Sequence, residues 1–419
     1  MTSKYGNLGL LVALFLLLSL RAVGQSSVFP EPYHRAVAWH ARGWYGAAVQ
    51  VFDSLLARKA DIAYLRGATV GYLALGMPDS AQARLAKYPM KVSAYNLLRA
   101  EVGCFTGHAE EGLTALRDYL GAKVKESEQA LQRDTLLRPC HAAAGWEALW
   151  KEEWYTTEQQ GVNHLEYLAE KGDWRLLLEE LDNTYARLSK RSEYAFLRAL
   201  ALDGIGDRKS ALLAAEVASE GRSRELRYAL LHARLMSMLG YKRQAEAKLL
   251  GFQKRDPANP AILPVLAWVQ LGIGRLPVAY ATAQRYLAYY PQDTAMLHCA
   301  AIAASKNKQY SQALNLLARL HTLAEPPQQI EVLRLRAEIL SIQGDYRQAI
   351  VDYQEALTHR PQDTALLRGA AMNYFQIRDS VQGCKLLERG QKLGHPNADR
   401  LWRRFCTKVG VGVGVGAGE

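Results

Sequence analysis

Cysteine is scarce and scattered in this chain of 419 residues: Cys104, Cys140, Cys299, Cys384 and Cys406, with no CxxC and no short spacing. A clustered, even set would point to a disulfide framework or a zinc site. This set points to neither, so the thiols are expected to be buried apolar side chains and no metal is expected. Proline is low at 14, and apart from one run near the start no long hydrophobic stretch occurs. These shortages exclude collagen-like, disordered and polytopic membrane classes. What is present is 49% hydrophobic and 22% charged residues with a formal net charge of +11. Stretches rich in Ala, Leu, Arg, Glu and Gln favour an all-helical chain. A length prior of about 100–200 residues per domain suggests two to four globular domains, unless the chain is a repeat array.

The exceptional apolar run is Leu8 to Leu20, preceded by Lys4 and followed by Ala22-Val23-Gly24 before Gln25. At about 1.5 Å per residue it reaches only about 20 Å, short of a hydrocarbon core of about 30 Å. Residues 1–24 are therefore expected to be a cleaved signal peptide, although Arg21 lies unusually close to the cut and leaves an uncleaved anchor open. No cysteine lies near the cut to carry a lipid. Cleavage removes two cations and leaves a net +9.

A period runs through the rest. Small residues recur at Ala211, Ala245, Ala279, Ala313, Ala349 and Gly383, at intervals of 34, 34, 34, 36 and 34. Twelve residues before each stands another: Ala199, Ala233, Ala267, Ala301, Ala337 and Ala371. Antiparallel helices approach closely only where side chains are small, so each phased pair marks a helix crossing. Turn chemistry lies between the two positions as Gly206-Asp207, Gly240-Tyr241, Gly274-Arg275 and Gly344-Asp345-Tyr346. Pro291-Gln292-Asp293-Thr294 and Pro361-Gln362-Asp363-Thr364 end second helices and offer caps for the next first helices. Earlier equivalents are Leu177, Gly112, Ala81 and Ala48, with a degenerate unit around 124–160 and Pro139 at its turn.

These residues, and above all the segment Ile339 to Leu357, resemble the tetratricopeptide repeat, a 34-residue helix-turn-helix unit. The resemblance implies an all-α fold, a right-handed α-solenoid of stacked helix-turn-helix repeats. It departs from the pattern where Lys308 and Arg378 replace the turn glycine, and looser turns are expected there. The resulting organisation is 1–24 signal peptide, 25–160 degenerate N-terminal helical repeats, 161–400 repeat array, and 401–419 a basic, then Val/Gly-rich, disordered tail.

No HExxH, GxxxxGK[ST], GxSxG or EF-hand loop occurs, and the ten histidines are dispersed. His298-Cys299 and Cys140-His141 are neighbours in sequence, but adjacent helical residues point about 100° apart, so neither is preorganised for catalysis or metal binding. A non-catalytic protein without a cofactor is expected. The resemblance instead implies a concave groove lined by positions two, five, nine, twelve and thirteen of each first helix. Groove candidates on this reading are Arg227, Arg234, Trp268, His298, Arg334, Arg368 and Met372. The Lys and Asn pair by which some family members clamp a carboxylate terminus is absent at positions five and nine.

Charge is uneven. Residues 25–160 carry 15 basic and 15 acidic side chains, whereas residues 222–255 carry nine basic and two acidic. This patch reads either as a site for an acidic partner segment, with Trp268 as an apolar anchor, or as a solvated basic repeat. Nucleic acid is disfavoured because its binding needs an extended basic track. Trp146, Trp150 and Trp154 follow i, i+4, i+8 spacing and form one helix stripe, read either as core or as an exposed docking or self-association seam.

The expected function is a protein-protein interaction scaffold of a cell envelope, exported to the periplasm or secreted, binding a protein or peptide, with membrane association only through an uncleaved signal or a partner. A glycan- or substrate-binding accessory of an outer-membrane uptake or secretion system is the alternative. An enzyme site within 121–160 remains a third reading.

Overall fold

The computed structural model describes residues 28–183, 191–394 and 397–407. The expected signal peptide and the Val/Gly-rich end of the tail lie outside the described residues. Regular structure among the described residues is helical throughout, and two compact units divide at Gly274 and Arg275.

The first unit runs through α1 (Glu31–Ala41), α2 (Tyr45–Arg58), α3 (Ile62–Ala74), α4 (Pro78–Lys87), α5 (Ser93–Phe105) and α6 (Ala109–Leu120). Two short helices follow, α7 (Glu128–Arg133) and α8 (Ala144–Leu149), separated by a 3₁₀ turn at Arg138–Ala142. Regular lengths return with α9 (Thr157–Lys171), α10 (Trp174–Asn183), α11 (Ser192–Ile205), α12 (Arg208–Gly221), α13 (Leu226–Met238), α14 (Lys242–Arg255) and α15 (Leu263–Ile273). The second unit comprises α16 (Leu276–Leu287), α17 (Thr294–Lys306), α18 (Tyr310–Leu323), α19 (Pro326–Gln343), α20 (Tyr346–His359), α21 (Thr364–Gln376), α22 (Ser380–Lys392) and α23 (Ala398–Phe405). Within each unit consecutive helices pack on one another in pairs, as in a tetratricopeptide-like fold.

The small residues lie where the period puts them. Ala199, Ala211, Ala233, Ala245, Ala301, Ala313, Ala337 and Ala349 are all fully buried. Ala48, Ala81 and Gly112 are buried too, and twelve residues before them stand the buried Ala36, Thr69 and Ala100. At the α5–α6 crossing backbone approaches backbone: a methyl group on Gly112 would meet the backbone nitrogen and Sγ of Cys104 at 2.9 Å. Asp293 and Asp363 cap α17 and α21 by accepting from the backbone N–H groups of Met296 and of Ala365 and Leu366.

Turns at Gly206, Gly240, Gly274 and Gly344 take φ between 85° and 98°. Lys308 and Arg378 do not loosen their turns; they adopt the same left-handed conformation, at φ 62° and 64°. The expected looseness is replaced by strain, because packing of the flanking pairs dictates the turn and a side chain there costs about 1–2 kcal/mol.

Four of the five cysteines are not thiols. Cys104 bonds to Cys140 and Cys384 to Cys406, leaving Cys299 alone as a buried free thiol among the five. Sequence separations of 36 and 22 hid these pairs. Helix packing brings them together. Residues 401–405 belong to α23 and Cys406 is bridged, so the expected tail begins later than residue 401.

Candidate partner-binding groove

In the first unit the groove rows are largely filled by the protein itself. Phe196, Leu200 and Leu230 are buried. Arg227 is only 8% exposed: its guanidinium carbon lies 5.4 Å from the Phe196 ring centroid and 4.9 Å from that of Tyr228, and its Nη2 donates to the Tyr228 hydroxyl at 3.2 Å. Nε of Arg227 stands 3.5 Å from Glu225. Arg234 gives its charge to Asp203 at 2.5 Å. Trp268, by contrast, is 39% exposed on α15.

The basic patch of 222–255 is correspondingly reduced. Arg222 pairs with Glu193 at 2.8 Å, and Lys242 donates to the Gly272 carbonyl at 3.0 Å. Lys248 donates to Nδ1 of His232 at 2.9 Å, and burial together with that ammonium pushes His232 down to about 4. Arg224, Arg243, Lys254 and Arg255 remain exposed, but on turns and the second helix rather than in the groove row. A count of nine cations does not reveal that α11 supplies carboxylates to two of them, Arg222 and Arg234.

An ion pair the sequence did not signal occupies groove positions nearer the N-terminus. Arg66 on α3 donates through Nη1 and Nη2 to both carboxylate oxygens of Glu101 on α5, each at 2.8 Å. Glu101 is fully buried. That burial, with Asp134 and Glu126 nearby, raises its carboxyl to about 7 against the pull of Arg66.

The tryptophan stripe does not form on one helix. α8 ends at Leu149, so Trp150 is its C-cap and Trp154 lies beyond it, with Nε1 donating back to the Leu149 carbonyl at 2.7 Å. Helical spacing in sequence was not matched by a helix long enough to express it. Trp146 is 7% exposed, and Trp150 and Trp154 are half-buried against the apolar cluster of Leu97, Leu116 and Leu120. Pro139 sits inside the 3₁₀ turn, and not at the turn of a full helix pair.

In the second unit, His298, Arg334 and Arg368 occupy one register on α17, α19 and α21. His298 is half-buried; burial lowers its pKa and Arg334 adds to this, while Glu331 opposes it. Arg334 is held on its own helix by Glu331 at 3.0 Å and Glu338 at 2.7 Å. Arg368 is exposed and forms no ion pair with any described residue. Met372, half-buried, lies one turn further along the same face. Ile342 on α19 is 63% exposed. The open part of the groove row in this unit thus offers one uncommitted cation beside apolar surface.

No protein-family model and no curated protein matches the chain. Solved structures do. One titled APC/C hetero-tetramer Cut9-Hcn1 is similar over 95% of this chain and 99% of its own, at 12% identity and TM-score 0.49. A tetratricopeptide repeat protein from Parabacteroides merdae is similar over 58% of this chain and 98% of its own, at 14% identity and TM-score 0.45. YrrB, described as a TPR protein with an unusual peptide-binding site, is similar over 45% and 98%, at 16% identity and TM-score 0.39. The paired helices of the chain itself, and not these likenesses, define its fold. The chain has a TPR-like, all-α repeat fold.

Proposed function

We propose that the chain is a non-catalytic interaction scaffold of the cell envelope that holds a partner protein segment against the first helices of its repeats. The observation that carries this reading is Arg368 with Met372: an exposed, uncommitted guanidinium beside half-buried apolar surface at groove positions of the second unit, where Arg334 in the same register is held by Glu331 and Glu338. Such a surface suits an extended segment bearing a carboxylate and apolar neighbours. Trp268 gives the first unit a separate apolar anchor.

Export is supported by the pattern of residues 1–24 and by the two disulfides, since such bonds persist mainly in oxidising compartments. Affinity capture from envelope extract with the chain from Gln25 onward tests the reading. Arg368→Glu and Trp268→Ala are expected to lower partner recovery, the first in a salt-dependent manner. Unchanged recovery in both variants rejects the groove. Arg227→Glu is unsuitable as a probe because the residue is buried.

A further inference from the structure

The solvent-facing cations of the second unit gather at its C-terminal end. Residues 378–407 hold seven Lys or Arg side chains against three carboxylates. The helix α23 organises three of them. Its Leu401, Trp402 and Phe405 turn inward onto Ala371, Cys384 and Leu387, with the Phe405 ring stacked on Phe375 at 4.8 Å. Immediately after the helix, Cys406 is bonded to Cys384 of α22. Arg400, Arg403 and Arg404 lie on the opposite face at i, i+3 and i+4, all exposed and none in an ion pair with a described residue.

This differs from the 222–255 segment, where Arg222, Arg227 and Arg234 are paired with carboxylates and the exposed Arg224, Arg243 and Arg255 are spread over a turn and the two ends of α14. It also differs from the groove row, because the three guanidinium groups stand on the outer face of a terminal helix and not between first helices. Docking and the disulfide fix that face, so its three charges are presented together without further ordering. Planar guanidinium groups bind phosphate oxygens in pairs, and several on one face match a two-dimensional array of phosphates better than a single threaded segment.

We propose that this face docks on an anionic lipid bilayer. The attraction is electrostatic and peripheral: the apolar side of α23 is already buried in the protein, so it cannot insert as a free amphipathic helix does. Half-buried Trp402 adjoins the cationic face, at a place where headgroup-level contact suits an indole. Membrane association then has a route that needs neither an uncleaved signal nor a partner, independent of the groove reading.

The test uses the chain from Gln25 onward, which keeps every described helix and omits the apolar run of residues 8–20. Co-sedimentation is measured with phosphatidylcholine vesicles and with vesicles containing about one-third phosphatidylglycerol, at roughly 0.05 M and 0.5 M salt. Binding is expected only to the anionic vesicles and to weaken sharply at the higher salt. Combined Arg400→Gln, Arg403→Gln and Arg404→Gln is expected to lower partition roughly 100-fold with unchanged helicity and an intact Cys384–Cys406 bond. Equal binding of this variant, equal binding to neutral vesicles, or binding to an acidic protein without binding to vesicles overturns the proposal.

Discussion

Between Tyr310 and Lys392 each helix pair is set by small residues at the crossing and a left-handed residue at the turn. Between Gly121 and Tyr155 the chain has only two short helices, and specific bonds replace that scheme. The Tyr119 hydroxyl accepts from the Glu126 N–H at 2.8 Å, Tyr155 donates to the Glu126 carbonyl at 2.7 Å, and Gln159 donates to the Lys123 carbonyl at 3.1 Å. Leu131, Leu137, Trp146 and Leu149 complete the apolar cluster with α5 and α6. The Cys104–Cys140 bond closes it. Regular repeats therefore carry their fold in periodic packing, while the irregular stretch carries it in contacts that no period announces.

The largest effect that separates the two regions is expected from the bridge. Replacing Cys104 and Cys140 by Ser should cost about 3–4 kcal/mol from lost loop constraint. Hydrogen exchange should show the loss concentrated in residues 97–149, leaving residues 310–392 protected. Uniform loss across both regions would contradict the comparison.

Next comes the buried Glu101. Its carboxyl is raised from the ordinary value of 4.5 to about 7 in the folded protein, so the folded state holds a proton that the unfolded chain has released. Its contribution to stability is full below pH 4.5 and is lost as pH rises through about 7. Chemical denaturation of Glu101→Gln should lack this fall. His232 acts oppositely, as its lowered value removes stability as pH falls from 6.5 to about 4, so the variant comparison and not the wild-type profile carries the test.

A smaller effect is expected at the α5–α6 crossing. Gly112→Ala should destabilise by about 1–2 kcal/mol because its methyl meets Cys104. Gly251→Ala on α14, where nothing lies within 4 Å, should instead stabilise by up to about 1 kcal/mol. The smallest change belongs to the regular array. Lys308→Gly and Arg378→Gly should each raise stability by about 0.5–1 kcal/mol in thermal melts by removing the left-handed strain. A loss in both would show that the side chains offset the backbone cost.

The helix pairs were legible because their small residues repeat: Ala199 with Ala211 and Ala337 with Ala349 announce crossings through spacing alone. The Asp293 and Asp363 caps were legible for the same reason. Trp146, Trp150 and Trp154 misled, because side-chain spacing cannot say where a helix stops. The disulfides were illegible since their halves meet only after packing. The surroundings of the candidate residues were half legible. The repeat register placed Arg227, Arg234 and Arg334 correctly along the first helices, but compensation by Glu225, Asp203, Glu331 and Glu338 depends on rotamers and on neighbouring helices. Of the seven candidates, Arg368 and Trp268 are exposed, Met372, His298, Arg234 and Arg334 are half-buried, and Arg227 is buried.

The claim that partners lie against the first helices is tested most directly by photo-crosslinking from two positions of the second unit. One chain carries a benzophenone side chain in place of Met372, and the other in place of Val351, which is 51% exposed on the second helix α20. The account predicts that envelope partners are captured from position 372 and not from position 351, and that Arg368→Glu abolishes the capture. Equal capture from both positions, or capture from 351 alone, would contradict it.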